Sequence, residues 1–414
     1  MLGLTIVAAA IAIYAAIQSR LGTTILGGPL IFVTLGLVLS NEGLGVLDLD
    51  LDTGTVTILL KATLVILLFT EASELEPRRM RGEISIPGRL LGLGMPLVMI
   101  LGTVAAALLF DGIGIWEAAV VAALLAPTDA ALGVPVVSNK RVPERIRRSL
   151  IVESGLNDGL AVPFAFAFAA AGEVFTSDAT GADAFTFLVE QIGFGLVVGI
   201  IVGAVGAKIL KETSDRGWAS SASVQIAFIA LAGLAYAAAE LIHGNGFISA
   251  WVAGLVFALT ARDTIHPQGF AARSGELLTL ASFLVFGAAM LAPALSRVEA
   301  SWLVYGLASL ALIRPASVAL SMIGSGLRPP TVAYMGWFGP RGLASLILAF
   351  LVLKDFTLEN IDSILDVVSI TVGLSVLLHG ISAWPGSQAY ANWVDRTGPG
   401  ALERNTSDKY AGDA

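Results

Sequence analysis

Long apolar runs separated by short polar connections fill the chain from its start to about position 384. About 20 predominantly apolar residues, coiled as a helix, cross the ~30 Å hydrocarbon core of a bilayer. Runs of that kind lie near 2–18, 23–40, 55–74, 88–110, 115–138, 147–171, 187–210, 220–241, 246–261, 277–294, 301–323, 331–352 and 364–384. The pattern predicts an all-α membrane protein with 13 transmembrane helices. Residues 1–384 form one transmembrane domain, because the connections are too short to hold a soluble insert. The polar tail 385–414 is short for a folded unit and reads as disordered.

Composition agrees. Of 414 residues, 56% are hydrophobic and only 14% charged, where a soluble domain carries about a quarter. Absence of cysteine excludes disulfides and thiolate metal sites. His243, His266 and His379 lack paired metal-ligand spacing, so no cofactor is expected. No basic patch interleaved with aromatics points to nucleic acid. The first apolar run lacks a basic start and reads as a spanning helix rather than a cleaved signal.

Charge orients the map. With the N-terminus outside, 19 of the 24 basic residues fall in inner loops and only Arg297 and Lys354 in outer ones. That asymmetry is the positive-inside pattern. The C-terminus is therefore expected in the cytoplasm and the protein in the plasma (inner) membrane.

Seven ionisable residues within spans are the candidates: Lys61, Glu71, Asp129, Glu153, Asp158, Arg314 and Arg341. Each costs at least ~2.5–3.5 kcal/mol at mid-bilayer on insertion scales, so each needs a partner or a purpose. In the fifth span, Ala126-Pro127-Thr128-Asp129 places a helix breaker beside a carboxylate. In the twelfth, Gly339-Pro340-Arg341-Gly342 interrupts an apolar run in the same way, about half a chain later. Paired discontinuous helices in corresponding halves mark the binding site of an inverted-repeat transporter. In the sixth span, Glu153 and Asn157 are four residues apart, as are Ser154 and Asp158, giving two adjacent stripes on one helical face. Such a site offers oxygens only, which suits a hard cation such as sodium. Asp158 is the expected cation and proton carrier. Glu153 reads as a structural partner for Arg341, whose guanidinium stays charged when buried. Arg314 satisfies carbonyls or an acid, and Lys61 snorkels outward. Glu71 is an auxiliary cation ligand or an ion-funnel acid, or else is simply solvated at the interface.

Phe69-Thr70-Glu71, Thr128-Asp129, Glu153-Ser154-Gly155-Leu156-Asn157-Asp158 and Gly339-Pro340-Arg341-Gly342 resemble the motifs of NhaP-type sodium/proton antiporters. These form the electroneutral branch of the monovalent cation/proton antiporter superfamily. The segment from Glu240 through Gly244-Asn245-Gly246 to Ala253-Gly254-Leu255 is similar too. The resemblance implies exchange of sodium, and lithium with it, for protons. Asp158 would carry the ion, with Thr128, Asp129 and Ser154 completing or supporting its shell and Glu71 nearby. Asn157 stands where the electrogenic branch has an aspartate, which implies one-for-one exchange. Glu153 and Arg341 would be the stabilising pair. The resemblance also implies a homodimer, a mobile core around 88–171 and 301–384 working as an elevator, and a dimerisation bundle from the remaining helices. One departure is local: many relatives have proline after Thr-Asp, whereas Ala130 follows here and Pro127 precedes. A potassium/proton exchanger of the same fold, or sodium-coupled uptake of an organic anion, is the near alternative. A passive channel would need a repeated filter or a ring of like residues, and the chain has neither.

Overall fold

Proline and glycine punctuate the helices of the computed structural model, which describes residues 2–21, 27–49, 51, 54–75, 84–129, 132–176, 181–261, 269–397 and 403. In chain order the helices are α1 (Leu2–Leu21), α2 (Gly28–Leu39), α3 (Gly54–Ser73), α4 (Ser85–Leu109), α5 (Ile115–Leu124) and α6 (Val134–Ser138). There follow α7 (Glu144–Thr176), α8 (Gly181–Asp215), α9 (Ser221–Glu240), α10 (Gly246–Ala261) and α11 (Arg273–Ser296). The last are α12 (Ala300–Ser321), α13 (Pro329–Trp337), α14 (Leu343–Asp355) and α15 (Ile361–Arg396). Eight of these are long and apolar enough to cross a membrane alone. With α5–α6 and α13–α14 each read as one broken pass, the described residues make the thirteen passes expected from the sequence.

Three long helices carry a π-turn immediately before a proline: Leu90–Gly94 before Pro96, Phe286–Leu291 before Pro293, and Ser309–Ile313 before Pro315. A helical proline lacks its N–H and collides with the carbonyl four residues back; one wide turn moves that carbonyl aside. The helix therefore continues through the proline instead of breaking. An internal repeat becomes visible in these landmarks. A π-turn helix, a broken pass and a long helix containing a proline occur as α4, α5–α6 and α7 with Pro163, then as α12, α13–α14 and α15 with Pro385. The two sets lie seven passes apart, so they cross the membrane in opposite senses.

Within the repeats, α4 packs on α5, α5 on α7, α12 on α13 and α15, and α14 on α15 and α7. The remaining helices pack chiefly among themselves, α10 against α3, α8 and α9, and α11 against α2 and α3. Close approach there depends on glycine. A Cβ on Gly254 would lie 2.3 Å from the Phe69 carbonyl oxygen, and one on Gly36 2.3 Å from that of Leu284. The Glu240–Leu255 segment is accordingly structural. Glu240 accepts from the Gly246 amide at 3.0 Å, Asn245 accepts from the amides of Phe247 and Ile248, and Gly254 seats α10 on α3.

One expectation is corrected. The segment after Trp384 does not begin a disordered tail, because α15 continues unbroken to Arg396. Tyr390, Ala391 and Val394 are buried on one side of this extension. On the other side Arg141 reaches Gln388 at 3.0 Å, Asn392 at 2.6 Å and Asp395 at 2.8 Å. Apolar burial plus a guanidinium shared by three side chains orders a segment whose composition alone is polar.

Candidate functional site

The site grows from two broken helices whose loose ends satisfy each other. Helix α5 ends at Leu124, leaving the carbonyls of Ala126 and Pro127 outside any helix. Helix α14 starts at Leu343 without a side-chain cap of its own on Gly342. Arg341, wholly buried, donates from Nη1 to the Ala126 carbonyl at 2.6 Å and to the Pro127 carbonyl at 3.0 Å. In return the Asp129 Oδ2 accepts the Leu343 amide at 2.9 Å, and the Asp129 amide donates to the Pro340 carbonyl at 2.8 Å. A cation thus meets the negative end of one half-helix, and an anion the positive end of the other. In the Gly-Pro-Arg-Gly motif, Pro340 supplies the break and the glycines supply space. A Cβ on Gly342 would stand 1.8 Å from Asp129 Oδ2, and one on Gly339 2.5 Å from Arg314 Nε.

Helix α7 brings its two stripes to this crossing. The Ser154 hydroxyl donates to the Thr128 carbonyl, and Asn157 Nδ2 donates to the Thr128 hydroxyl at 2.7 Å. Asp158, one residue on, is 7% exposed, and its Oδ1 meets no hydrogen-bond donor among the described residues. Oε2 of Glu71 on α3 is equally without a donor, and the carboxylates of Glu71, Asp129 and Asp158 lie within electrostatic reach of one another. Gly155 of α7 packs on the Glu71 backbone, which is what brings α3 to this face. A void of about 20 Å³ touches Thr128, Asp129, Ser154, Phe338 and Pro340. That is room for one water or one small ion.

A cavity of about 540 Å³ leads toward this cluster. Thr70 and Glu71 line it from α3, Glu74 from the turn after it, Val134 and Pro135 from α6, Ile151 from α7 and Glu276 from α11. Leu21 at the end of α1 and Gly28 at the start of α2 also line it. The sequence leaves the role of Glu71 open; the structure turns it to the cavity, within electrostatic reach of Asp158.

The expected pairing of Glu153 with Arg341 is not what forms. Glu153 makes its ion pair with Arg314 at 2.5 Å, both side chains being almost fully buried. The reason is positional. Arg314 opens the segment after the π-turn of α12 and projects over Gly339. Arg341 is occupied by the two carbonyls of the first break. The Ala130 departure lies outside the described residues. Sequence reading also passed over His379 and Ser375, which hold the second break. A signal existed: Ser375, His379 and Ser382 fall at i, i+4 and i+7 of α15.

Comparisons with known proteins agree with this geometry. The family model "Sodium/hydrogen exchanger, transmembrane" matches residues 6–385. A K(+)/H(+) antiporter NhaP of Alkalimonas amylolytica is 25% identical over 338 residues, 80% of this chain and 57% of that protein. A probable Na(+)/H(+) antiporter of Schizosaccharomyces pombe is 26% identical over 251 residues, 56% of this chain and 32% of that protein. The chain thus spans little more than half, or less, of these relatives' length. The structure of the sodium proton antiporter MjNhaP1 of Methanocaldococcus jannaschii superposes with a TM-score of 0.76 at 18% identity, covering 92% of this chain and 99% of that one. Two crossed half-helices, a carboxylate-bearing helix against them and a family match over nearly the whole length lead to one assignment: the chain belongs to the sodium/hydrogen exchanger family.

Proposed function

We propose that this protein exchanges sodium, and lithium with it, for protons one-for-one, with Asp158 as the carboxylate that holds either ion. One observation carries the reading. Four acids lie in or beside the crossing, and Asp129 and Glu153 are already matched, by a helix N-terminus and by Arg314. Asp158 and Glu71 each keep a buried oxygen that no donor reaches among the described residues; of the two, Glu71 lines the entry cavity, whereas Asp158 sits on α7 one residue past the Asn157 that bonds Thr128. A buried carboxylate without a partner must be neutralised by a proton or a cation. Holding both at once is electrostatically unfavourable, and that competition couples the two flows. Asn157 adds no second charge beside it, which supports electroneutral exchange. Thr128, Ser154 and Asp129 supply oxygens close by, and Glu71 stands where the cavity meets the site.

The positive-inside pattern supports a cytoplasmic mouth for the 540 Å³ cavity. On that reading the N-terminus is outside, the C-terminus inside, and the conformation described is inward-open in the plasma membrane. Transport would then move the bundle bearing both breaks against the remaining helices in a homodimer, an arrangement that rests on the family likeness. Potassium is the second reading, favoured by the K(+)/H(+) antiporters among the relatives.

The test is direct. In proteoliposomes with an imposed pH gradient, internal pH is followed as sodium, lithium or potassium is added. Sodium and lithium should dissipate the gradient irrespective of membrane potential, and Asp158→Asn should abolish the response. Full activity in that variant, or flux driven by voltage alone, would overturn the proposal. A response to potassium alone would establish the second reading in its place.

A further inference from the structure

The non-helical link 338–342 has to be held at both ends if Arg341 and Asp129 are to meet the opposite break, and one stripe of α15 does this. Trp337, the last residue of α13, offers its carbonyl to Nε2 of His379 at 2.9 Å. The Arg341 amide donates to the Ser375 hydroxyl at 2.7 Å, and that hydroxyl lies 3.1 Å from Nδ1 of His379. A turn further on, Ser382 accepts the Trp337 indole N–H at 2.9 Å. The Trp337 and His379 rings stand 5.1 Å apart, centroid to centroid.

The Arg341 amide only donates, so the Ser375 hydroxyl oxygen accepts it. The two nitrogens of His379 each face a carbonyl, Nε2 that of Trp337 at 2.9 Å and Nδ1 that of Ser375 at 3.0 Å, and a neutral imidazole donates to one of them. In the Nε2–H tautomer the hydrogen goes to Trp337 and Nδ1 accepts from the Ser375 hydroxyl. The links then run from the Arg341 amide to Ser375, on to His379 and so to the Trp337 carbonyl. This relay ties the C-terminal end of α13 to the start of α14 through one helix face. His379 and Ser375 are both buried.

We infer that Ser375 and His379 are positioning residues for the cation site: they set the second break, and through Arg341 and Asp129 they set the oxygens of the first. This rests on the exchange reading above. Pro340, Arg341 and Leu343 contact the first break directly, so loosening their link displaces the Thr128–Asp129 segment relative to Asp158. Affinity for the cation should then suffer before the maximal turnover does.

The experiment compares His379→Leu, His379→Gln and Ser375→Ala with wild type in sodium titrations of proteoliposomes at fixed pH. Loss of one buried hydrogen bond should raise the half-saturating sodium concentration about five- to tenfold in His379→Leu. Maximal rate should stay within about twofold, a local geometric change being unlike a removed carrier group. Glutamine can keep a donor near the Nε2 position, so His379→Gln should lie within about twofold of wild type. Ser375→Ala should shift half-saturation in the same direction as leucine, and it keeps the inference decidable should His379→Leu not fold. Unchanged half-saturation in both Leu and Ala variants would overturn the inference. So would an equal loss in Leu and Gln, which marks a packing role alone. Hydrogen exchange of the segment around Arg341 in detergent forms the second arm, independent of which cation is carried. Faster exchange of the Arg341 amide in Ser375→Ala is expected, and wild-type protection there refutes the relay. Failure of wild type to exchange any cation would instead refute the transport proposal.

Discussion

Glu153 sits beside two guanidiniums, and removing it should harm the fold more than removing the one that it pairs with. Its bond to Arg314 is 2.5 Å, both side chains are buried, and Arg341 lies within Coulombic reach of both. Breaking a buried pair by deleting one partner typically costs ~3–5 kcal/mol, because the remaining charge is uncompensated. The two deletions differ in what they leave. Arg314→Ala leaves Glu153 near Arg341, a surviving opposite charge. Glu153→Ala leaves Arg314 and Arg341 facing each other with no anion between them. The Glu153 variant should therefore fall at or above the upper end of that range and the Arg314 variant at or below the lower. For a chain of this length the Tm shift is at most ~2 °C per kcal/mol, so Glu153→Ala should lose on the order of 10 °C and Arg314→Ala about 5 °C or less. Thermal melts of the purified protein in detergent read both values. A double variant with Glu153→Ala and Arg314→Ala should lose well under the sum of the single losses, since neither charge of the pair then leaves the other orphaned. If Arg314→Ala melts lower than Glu153→Ala, Arg341 does not share the glutamate and the reasoning fails. Additive losses in the double variant would refute the pairing itself.

Further outcomes follow from close contacts. Gly342→Ala puts a methyl where Asp129 Oδ2 lies, so the α14 cap should be lost and sodium-driven pH recovery in proteoliposomes should fall at least about tenfold. Gly254→Leu wedges α10 from α3 at the Phe69 carbonyl and should cost ~1–3 kcal/mol or more, read as a lowered Tm; an unchanged melt would deny that contact. Arg141→Ala removes an exposed ion pair to Asp395 and should change global Tm by no more than the equivalent of ~1 kcal/mol. It should nevertheless quicken proteolysis of the α15 extension after residue 385, since three side-chain contacts there converge on one guanidinium.

Much of this molecule is written in local pattern. The length of each apolar run dictates a helix, since backbone groups in hydrocarbon must satisfy themselves. The positions of Pro127 and Pro340 dictate where two helices open, because proline removes a donor and a turn's worth of space. The expense of buried charge singled out Asp129, Glu153, Asp158, Arg314 and Arg341 without any structure. Partnership was another matter. Which guanidinium meets Glu153 depends on the π-turn that places Arg314 over Gly339, a register shift with no signature beyond the following proline. That Asp129 caps α14, and that Arg341 closes the carbonyls of α5, are contacts across more than 200 positions. His379 and Ser375 reach back only 42 and 34 positions, yet only their spacing is visible in the sequence and their target is not. The continuation of α15 past Pro385 was misread from its polarity, because composition does not reveal that Arg141 waits beside it. Sequence determined the helices, their breaks and the charges that need an answer, since those follow from the cost of exposing polar groups to lipid. Only the tertiary structure decided which group answers which, because that choice depends on distances between segments that the chain itself keeps far apart.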